Sequence, residues 1–149
     1  MSASRSVRAA AGALFLFLVA LPVRGDRAAD IRAQISYIGT ALTAGNAADA
    51  MRPFEKSFSN YETLSNYFQG LTAFQVESEI ELVEENDTET DTKLVVNWTL
   101  TLTDSGTDAT DRRTGDIDIR LVPKDGKWKI VEFSPISLFN PQKKSGRKR

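Results

Sequence analysis

The spacing of apolar residues changes once along the chain, near Phe74, and this change constrains the fold more than any other feature. Before it, apolar residues recur every three or four positions, as on one face of a helix: Ile31, Ile35, Ile38 and Leu42. After it, apolar and polar residues alternate, as on strands with one buried face. Helices followed by antiparallel strands predict an α+β domain whose helices cover one side of the sheet.

Three helices are predicted before the change. The first covers about residues 28–44, and Gly45 ends it. Asn46, with Asp49 three residues later, is typical of the cap of a short second helix. Helix boundaries set by such local signals need no information from distant parts of the chain.

The start of the third helix is predicted from a capping box, Ser59 with Glu62 three residues later. This helix should run to about Gln69, and Gly70 is suited to the left-handed position just past its end. Four strands are then predicted, at residues 75–85, 93–103, 114–123 and 127–134. The last two should be joined by a tight turn at Asp125-Gly126, since both residue types tolerate positive φ. These elements specify three N-terminal helices packed on one face of a bent antiparallel sheet of four strands.

Residues 1–25 have the three-part pattern of a secretory signal peptide. Arg5 and Arg8 precede an apolar run at residues 9–21, and Gly25 follows at a position suited to cleavage. The run is shorter than the roughly 20 residues that a membrane-spanning helix needs. We therefore expect export to the periplasm or the extracellular space, a domain at residues 26–141 and a disordered tail at residues 142–149.

The expected mature domain is acidic, whereas its tail is basic. Cleavage removes three of the 19 basic residues and none of the 20 acidic ones, so the mature chain keeps 16 bases and 20 acids, a net charge of −4. The folded part is more acidic still, which argues against nucleic acid as a partner. The tail holds a basic cluster suited to weak contact with an anionic surface: Lys143, Lys144, Arg147, Lys148 and Arg149.

The chain has neither cysteine nor histidine. Disulfides, thiol chemistry and histidine-dependent triads are therefore excluded, as are the cysteine and histidine ligands that zinc sites use. The sequence predicts no metal and no cofactor. Stability must come from packing alone.

The order of helix, short helix, helix and four strands resembles the nuclear transport factor 2-like superfamily, which includes ketosteroid isomerases, polyketide cyclases and scytalone dehydratase. The local matches are AGNAADA at residues 44–50 and DGKWKI at residues 125–130. The resemblance covers about residues 28–139 and implies a cone, in which a bent sheet wraps around helices with a pocket at the open end. Several enzymes of the superfamily use an Asp-His pair. This chain has no histidine, so the resemblance implies a pocket and transfers no catalytic residue.

Glu132 is the one carboxylate that the pattern suggests for catalysis. Alternation puts it on the same face of the last strand as Trp128 and Ile130, where a buried acid would suit proton transfer. The opposite face carries Val131 and Phe133, so the orientation stays open. An ordinary position at the rim or edge of the sheet is the alternative.

Six further residues are candidates for lining a pocket: Tyr37, Arg52, Tyr61, Tyr67, Trp98 and Trp128. The tyrosine hydroxyls could donate protons into a cavity, although a buried ring with a wet rim is the commoner use. The two tryptophans are equally suited to the core. Arg52 could hold an anionic ligand at the pocket mouth or form a surface ion pair.

Three functions remain open on the sequence alone. The leading hypothesis is an exported module that binds a small apolar ligand or a protein partner without catalysis. The first alternative is an isomerase or dehydratase that uses Glu132 as base and a tyrosine as acid. The second is an assembly module of the cell envelope, a homodimer formed through the outer sheet face that carries Asn97, Thr99 and Thr101.

Overall fold

The structure, a computed structural model, describes residues 22–142, and their side chains from residue 27 onward. Two compact units are distinguished, residues 1–33 and residues 34–149. The described part of the first unit is the beginning of a helix, and the second unit holds every other element. The predicted tail, from residue 143 onward, and the predicted signal peptide, up to residue 21, lie outside the described residues.

The elements are three helices, four strands and a closing 3₁₀ turn at Ser137–Phe139. The helices are α1 (Pro22–Thr43), α2 (Ala47–Ala50) and α3 (Tyr61–Leu71). The strands are β1 (Phe74–Asp87), β2 (Thr92–Asp104), β3 (Thr110–Lys124) and β4 (Lys127–Ser134). The α+β class is confirmed, with each strand within a few residues of its predicted range. No helix among residues 22–142 is long and apolar enough to cross a membrane.

The four strands form one antiparallel sheet in the order β1-β2-β3-β4. The turn between β3 and β4 has φ of 53° at Asp125 and 79° at Gly126, which confirms the tight Asp-Gly turn. Register shifts occur at Val83 in β1, between Leu82 and Glu84, and at Val131 in β4, opposite Arg120 and Leu121 of β3. Each shift is a bulge, which bends a strand and changes the face on which later side chains lie.

The first helix boundary was correctly predicted from local signals. Gly45 has φ of 74°, the left-handed conformation that ends α1. The Asn46 Oδ1 atom accepts a hydrogen bond of 3.0 Å from the Asp49 N–H, so Asn46 caps α2.

Both predicted ends of α3 were wrong. The helix begins at Tyr61 after an Asn60 cap that makes no side-chain hydrogen bond, so the Ser59 capping box does not form. Gly70 lies inside the helix rather than after it. A Cβ atom at Gly70 would lie 2.5 Å from the Pro141 Cγ atom, so a glycine is needed here for close packing against the end of the chain.

The helix-facing side of the sheet, called the inner face below, is apolar and buried. Apolar residues on this face lie opposite each other on neighbouring strands, for example Ile80 opposite Trp98 and Leu94 opposite Ile119. In α1, beyond Gln34, Ile35, Ile38 and Leu42 are buried. The inner face contributes these buried side chains: Val76, Leu94, Val96, Trp98, Leu100, Leu102, Ile117, Ile119, Leu121, Ile130 and Phe133.

The two edges of the sheet differ. A short segment runs beside β4: the Ile130 N–H donates to the Pro53 carbonyl oxygen and the Glu55 N–H donates to the Ile130 carbonyl oxygen, each at 2.8 Å. This segment covers part of the β4 edge. Among the described residues, β1 pairs with β2 alone.

Candidate functional site

An aromatic cluster lies between the inner face and the segments that cover it. Its members come from the Phe54–Phe58 segment, α3, the sheet and the 3₁₀ turn: Phe54, Phe58, Phe68, Trp98, Phe133 and Phe139. Their relative exposures range from 0% to 6%. Large aromatic rings dominate the energetics of such cores.

Direct ring contacts join the members of the aromatic cluster. The centroid distances are 5.1 Å between Trp98 and Phe139, 5.0 Å between Phe54 and Phe133, and 5.6 Å between Phe133 and Phe139. Most pairs meet edge to face, the arrangement that aromatic quadrupoles favour. The rings therefore form one continuous contact network between the inner face and α3.

The two tryptophans have structural surroundings. Trp98 is fully buried, and its indole N–H donates to the Ser78 hydroxyl at 3.1 Å, which satisfies the only polar group of the ring. Trp98 pairs with Gly115 on β3. Trp128 is half-buried, and its backbone carbonyl accepts a hydrogen bond from the Gln34 side-chain amide.

The three tyrosines do not meet at one point of the interior. Tyr37 is 36% exposed on α1, whereas Tyr61 and Tyr67 are half-buried at the start and in the second half of α3. Among residues 22–142, none of these rings packs against the aromatic cluster. The structure therefore brings together the apolar rings and leaves the phenol groups apart.

Glu132 lies on the opposite face of the sheet, called the outer face below. It pairs with Arg120, while Ile130 and Phe133 both point to the inner face. The bulge in this strand pair interrupts the alternation, so the predicted common face of Glu132 and Ile130 is wrong. The side chain of Glu132 is 65% exposed and lies 3.5 Å from the Arg120 guanidinium.

Arg52 is also a surface residue. Its side chain is 70% exposed and lies 3.5 Å from the Asp49 carboxylate, at the end of α2. Its backbone carbonyl accepts a hydrogen bond of 2.7 Å from the Lys129 ammonium group. Arg52 thus contributes an exposed ion pair, of a kind that contributes little to stability.

A cleft of about 340 Å³ crosses all four strands on the outer face. We call it the outer-face cleft. Its lining carries three carboxylates and two cations, with a few neutral residues between them: Glu84, Asn86, Lys93, Leu94, Val95, Asp118, Ile119, Arg120, Glu132 and Ser134. Mixed charge of this density suits a polar or charged ligand and not a hydrocarbon.

Arg120 is the best-supported side chain of the cleft. Its Nε atom donates to the Asp91 Oδ2 atom at 2.7 Å, and a second nitrogen lies 3.5 Å from Glu132. The Thr88 hydroxyl donates to the other oxygen of Asp91 at 2.7 Å. The β1–β2 turn therefore fixes the guanidinium that the cleft presents.

These contacts shift two pKa values. The hydrogen bond from Arg120, with a smaller contribution from the Thr88 hydroxyl, lowers the pKa of Asp91 below its ordinary value. The hydrogen bond to Asp91 raises the pKa of Arg120 above its ordinary value. Both groups are held in their charged forms at neutral pH.

Sequence reasoning missed two basic residues. Arg113 is 4% exposed on the inner face, and one of its terminal nitrogens donates to the carbonyl oxygens of Leu138 and Asn140, each at 2.7 Å. The sequence could have placed Arg113 on the inner face, because it lies four residues before Ile117 on β3 and alternation puts both side chains on one face. Arg120 was not detectable in this way, since its partner Asp91 is 29 residues away.

No family model matches the chain, and no curated protein matches it. Several solved structures do match the chain. A conserved protein from Planctomyces limnophilus is 10% identical, with a TM-score of 0.66 over 75% of this chain and 96% of that one. A nuclear transport factor 2-like superfamily protein from Salmonella enterica is 11% identical, with a TM-score of 0.59 over 74% of this chain and 92% of that one.

A third match is a nuclear transport factor 2-like protein of unknown function from Shewanella oneidensis. It is 13% identical, with a TM-score of 0.58 over 72% of this chain and 96% of that one. Identities this low are informative about the fold alone. The chain has the fold of the nuclear transport factor 2-like superfamily, as its sequence pattern predicted.

Proposed function

We propose that this chain is an exported module that binds a protein partner without catalysis, through the polar outer face of its sheet. The observation that carries the proposal is the contrast between a ring-filled interior and a charged cleft on the opposite face. Export rests on the signal pattern of residues 1–25.

The interior argues against a small apolar ligand. A pocket for such a ligand needs several hundred cubic ångströms of apolar space. Here the aromatic cluster occupies that region, with ring centroids 5.0 to 6.3 Å apart. Trp98, Phe68 and Phe139 are each fully buried by protein atoms.

The outer-face cleft supports a protein partner. It offers a fixed guanidinium, Arg120, beside carboxylates of Asp118 and Glu132. Arginine is enriched at protein interfaces and often dominates their binding energy. Because Asp91, itself bound by the Thr88 hydroxyl, already holds Arg120, little conformational entropy is lost when a partner docks.

Catalysis by Glu132 has no comparable support. A general base must reach its substrate in a site that excludes water. Glu132 is 65% exposed beside Arg120, on the face away from the aromatic cluster and from Tyr61 and Tyr67. No tyrosine lines the outer-face cleft with it.

A second candidate, self-association through the outer face, is favoured by one observation. Polar groups in the middle of this face satisfy each other: Asn97 donates to Asp116 at 3.0 Å, and the hydroxyls of Thr99 and Thr114 lie 3.1 Å apart. Polar groups that are already paired cost less to bury than unpaired ones. Size measurement at micromolar concentration separates a dimer from the monomeric module.

The proposal is tested by capture from cell-envelope extract with purified wild-type chain and with the Arg120→Glu variant. Wild type should retain a discrete protein in near-equimolar amount, and Arg120→Glu should lose it while keeping its circular dichroism spectrum. Lys127→Glu is the matched control, because it reverses an exposed charge at the β3–β4 turn outside the cleft lining.

A parallel thermal-shift series uses progesterone and anthracene as apolar probes. We expect no change of the unfolding midpoint, because a ligand stabilises only a state that binds it. A saturable rise of the midpoint with either probe, together with equal capture by wild type and Arg120→Glu, would contradict the proposal.

A further inference from the structure

The edge of β1 is open to a further strand. Within residues 22–142 this strand pairs on one side only, with β2, whereas the Phe54 segment runs beside part of β4. An edge strand presents unpaired backbone N–H and C=O groups, with which an extended chain can pair. The backbone of β1 can therefore form one more ladder.

One side of this edge carries negative charge. We call the outward carboxylates of β1 before its bulge the glutamate row: Glu77, Glu79 and Glu81. Their partners on β2 are all uncharged: Thr101, Thr99 and Asn97. Side chains two positions apart on a strand lie about 7 Å from each other, so like charges in a row repel.

The glutamate row is poorly neutralised by the rest of the described chain. Glu79 lies 3.9 Å from Arg112, but the two side chains are 80% and 64% exposed, so this contact is weak. No cation among residues 22–142 lies within 4 Å of Glu77 or Glu81. Cations on a neighbouring strand would relieve the repulsion.

The other side of the edge borders a groove of about 520 Å³ between α1 and β1. Gly39 lets the helix approach the strand closely, since a Cβ atom there would lie 3.2 Å from the Ser78 Cβ atom. The lining is made mostly of small side chains: Ser36, Gly39, Thr40, Thr43, Ala44, Ser78 and Ile80. The groove suits small residues on an added strand.

The bulge after Leu82 limits the length of regular pairing. Leu82 is 39% exposed and Val83 is 56% exposed where the register shifts. A bulge at an edge interrupts the ladder and so ends the stretch that a partner can extend. The regular part of the edge is residues 75–82.

We propose that the β1 edge at residues 75–82 binds an extended basic segment of a partner protein as a fifth strand. Lysine or arginine at alternate positions faces the glutamate row, and small residues between them face the groove. A strand added about 4.8 Å from β1 brings facing Cβ atoms to about 5 Å, within reach of ion pairing. The inference rests on the proposed function, for which it names a partner class, but it uses the edge and not the outer-face cleft.

The test titrates the full chain with a fluorescent peptide of sequence KAKVKAK, followed by anisotropy. The control peptide KKKKAAV has the same composition and charge without the alternation. We expect KAKVKAK to bind about tenfold more tightly and to protect backbone amides of residues 75–82 from hydrogen exchange.

Variants of the chain locate the binding. Glu79→Gln/Glu81→Gln should weaken KAKVKAK about tenfold, whereas Asp116→Asn, which removes a carboxylate two strands away on the same face, should not. Glu79→Lys/Glu81→Lys should instead bind the peptide EAEVEAE. Arg120→Glu should leave binding of KAKVKAK unchanged. The edge inference and the proposed function at the cleft can therefore fail independently of each other.

Three results would overturn the inference. Equal affinity for the two basic peptides would mean charge attraction without strand pairing. Protection outside β1 would mean a different site. Tighter binding by a chain cut after Gln142 would mean that the basic residues 143–149 already occupy the edge.

Discussion

The two faces of the sheet differ in burial and in charge. On the inner face, Trp98 and Phe133 are fully buried among other rings, and the indole N–H has its partner in Ser78. On the outer face, Asp118 and Glu132 are exposed to solvent and Arg120 is only partly covered. The alternation of side chains along the same strands thus separates a buried apolar face from an exposed charged face.

Fold alone does not define function. The packed rings of the inner face stabilise the chain. Exposed polar groups on the outer face contribute less to folding. Substitutions on the two faces should therefore have effects of very different size.

The largest expected effect is on the inner face. Trp98→Ala should lower the free energy of unfolding by about 3–5 kcal/mol, because it leaves a cavity inside the aromatic cluster. Urea denaturation followed by circular dichroism measures this. Thr101→Ala, on the outer face of the same strand, should cost less than about 0.5 kcal/mol. Equal losses of unfolding free energy for the two variants would mean that the inner and outer faces contribute equally to stability.

A smaller effect is expected where the chain end packs on α3. Gly70→Ala should cost about 1–3 kcal/mol, because the new Cβ atom would meet the Pro141 ring at 2.5 Å. The double variant Gly70→Ala/Pro141→Ala should recover part of the loss, since it removes the clashing ring. Additive losses in a denaturation cycle would show that Pro141 is not the cause.

The Asp91–Arg120 pair should give stability a pH dependence. The pKa of Asp91 is lower in the folded state than in the unfolded one, so the pair stabilises the fold above pH about 4. This contribution should disappear as the pH falls through the lowered pKa. Denaturation at a series of pH values should show wild type and Asp91→Asn converging below pH 4. A constant difference at all pH values would contradict this assignment.

The smallest effect is expected at Glu132. Glu132→Gln should leave the free energy of unfolding unchanged within error, because its contact with Arg120 is long and exposed. The same denaturation measurement checks this. A marked loss of stability would mean that Glu132 has a structural role on the outer face.

Local signals in the sequence predicted most of the fold. Alternation located the strands, and Gly45, Asn46 and the Asp125-Gly126 turn marked boundaries that the structure confirms. Gly70 was misinterpreted, because its constraint comes from Pro141, far along the chain. Helix ends that depend on distant packing cannot be inferred from neighbouring residues.

The candidate site was harder to predict for the same reason. A bulge near Val131 changes the face of Glu132, and nothing in the strand's alternation reveals a one-residue shift. The cleft forms only when Lys93, Asp118 and Glu132 come together from three strands. The register between neighbouring strands determines which charged side chains lie side by side, and the residue types along one strand do not reveal it.

The most direct test of the ring-filled interior is a titration of the wild-type chain with indole, followed by amide chemical shifts in NMR. We expect no saturable shift at Ile117 on the inner face or at Phe139 in the 3₁₀ turn, whereas Trp98→Ala, which opens a cavity of that shape, should bind the probe. Saturable shifts at Ile117 and Phe139 in the wild type would show that the interior holds a ligand cavity.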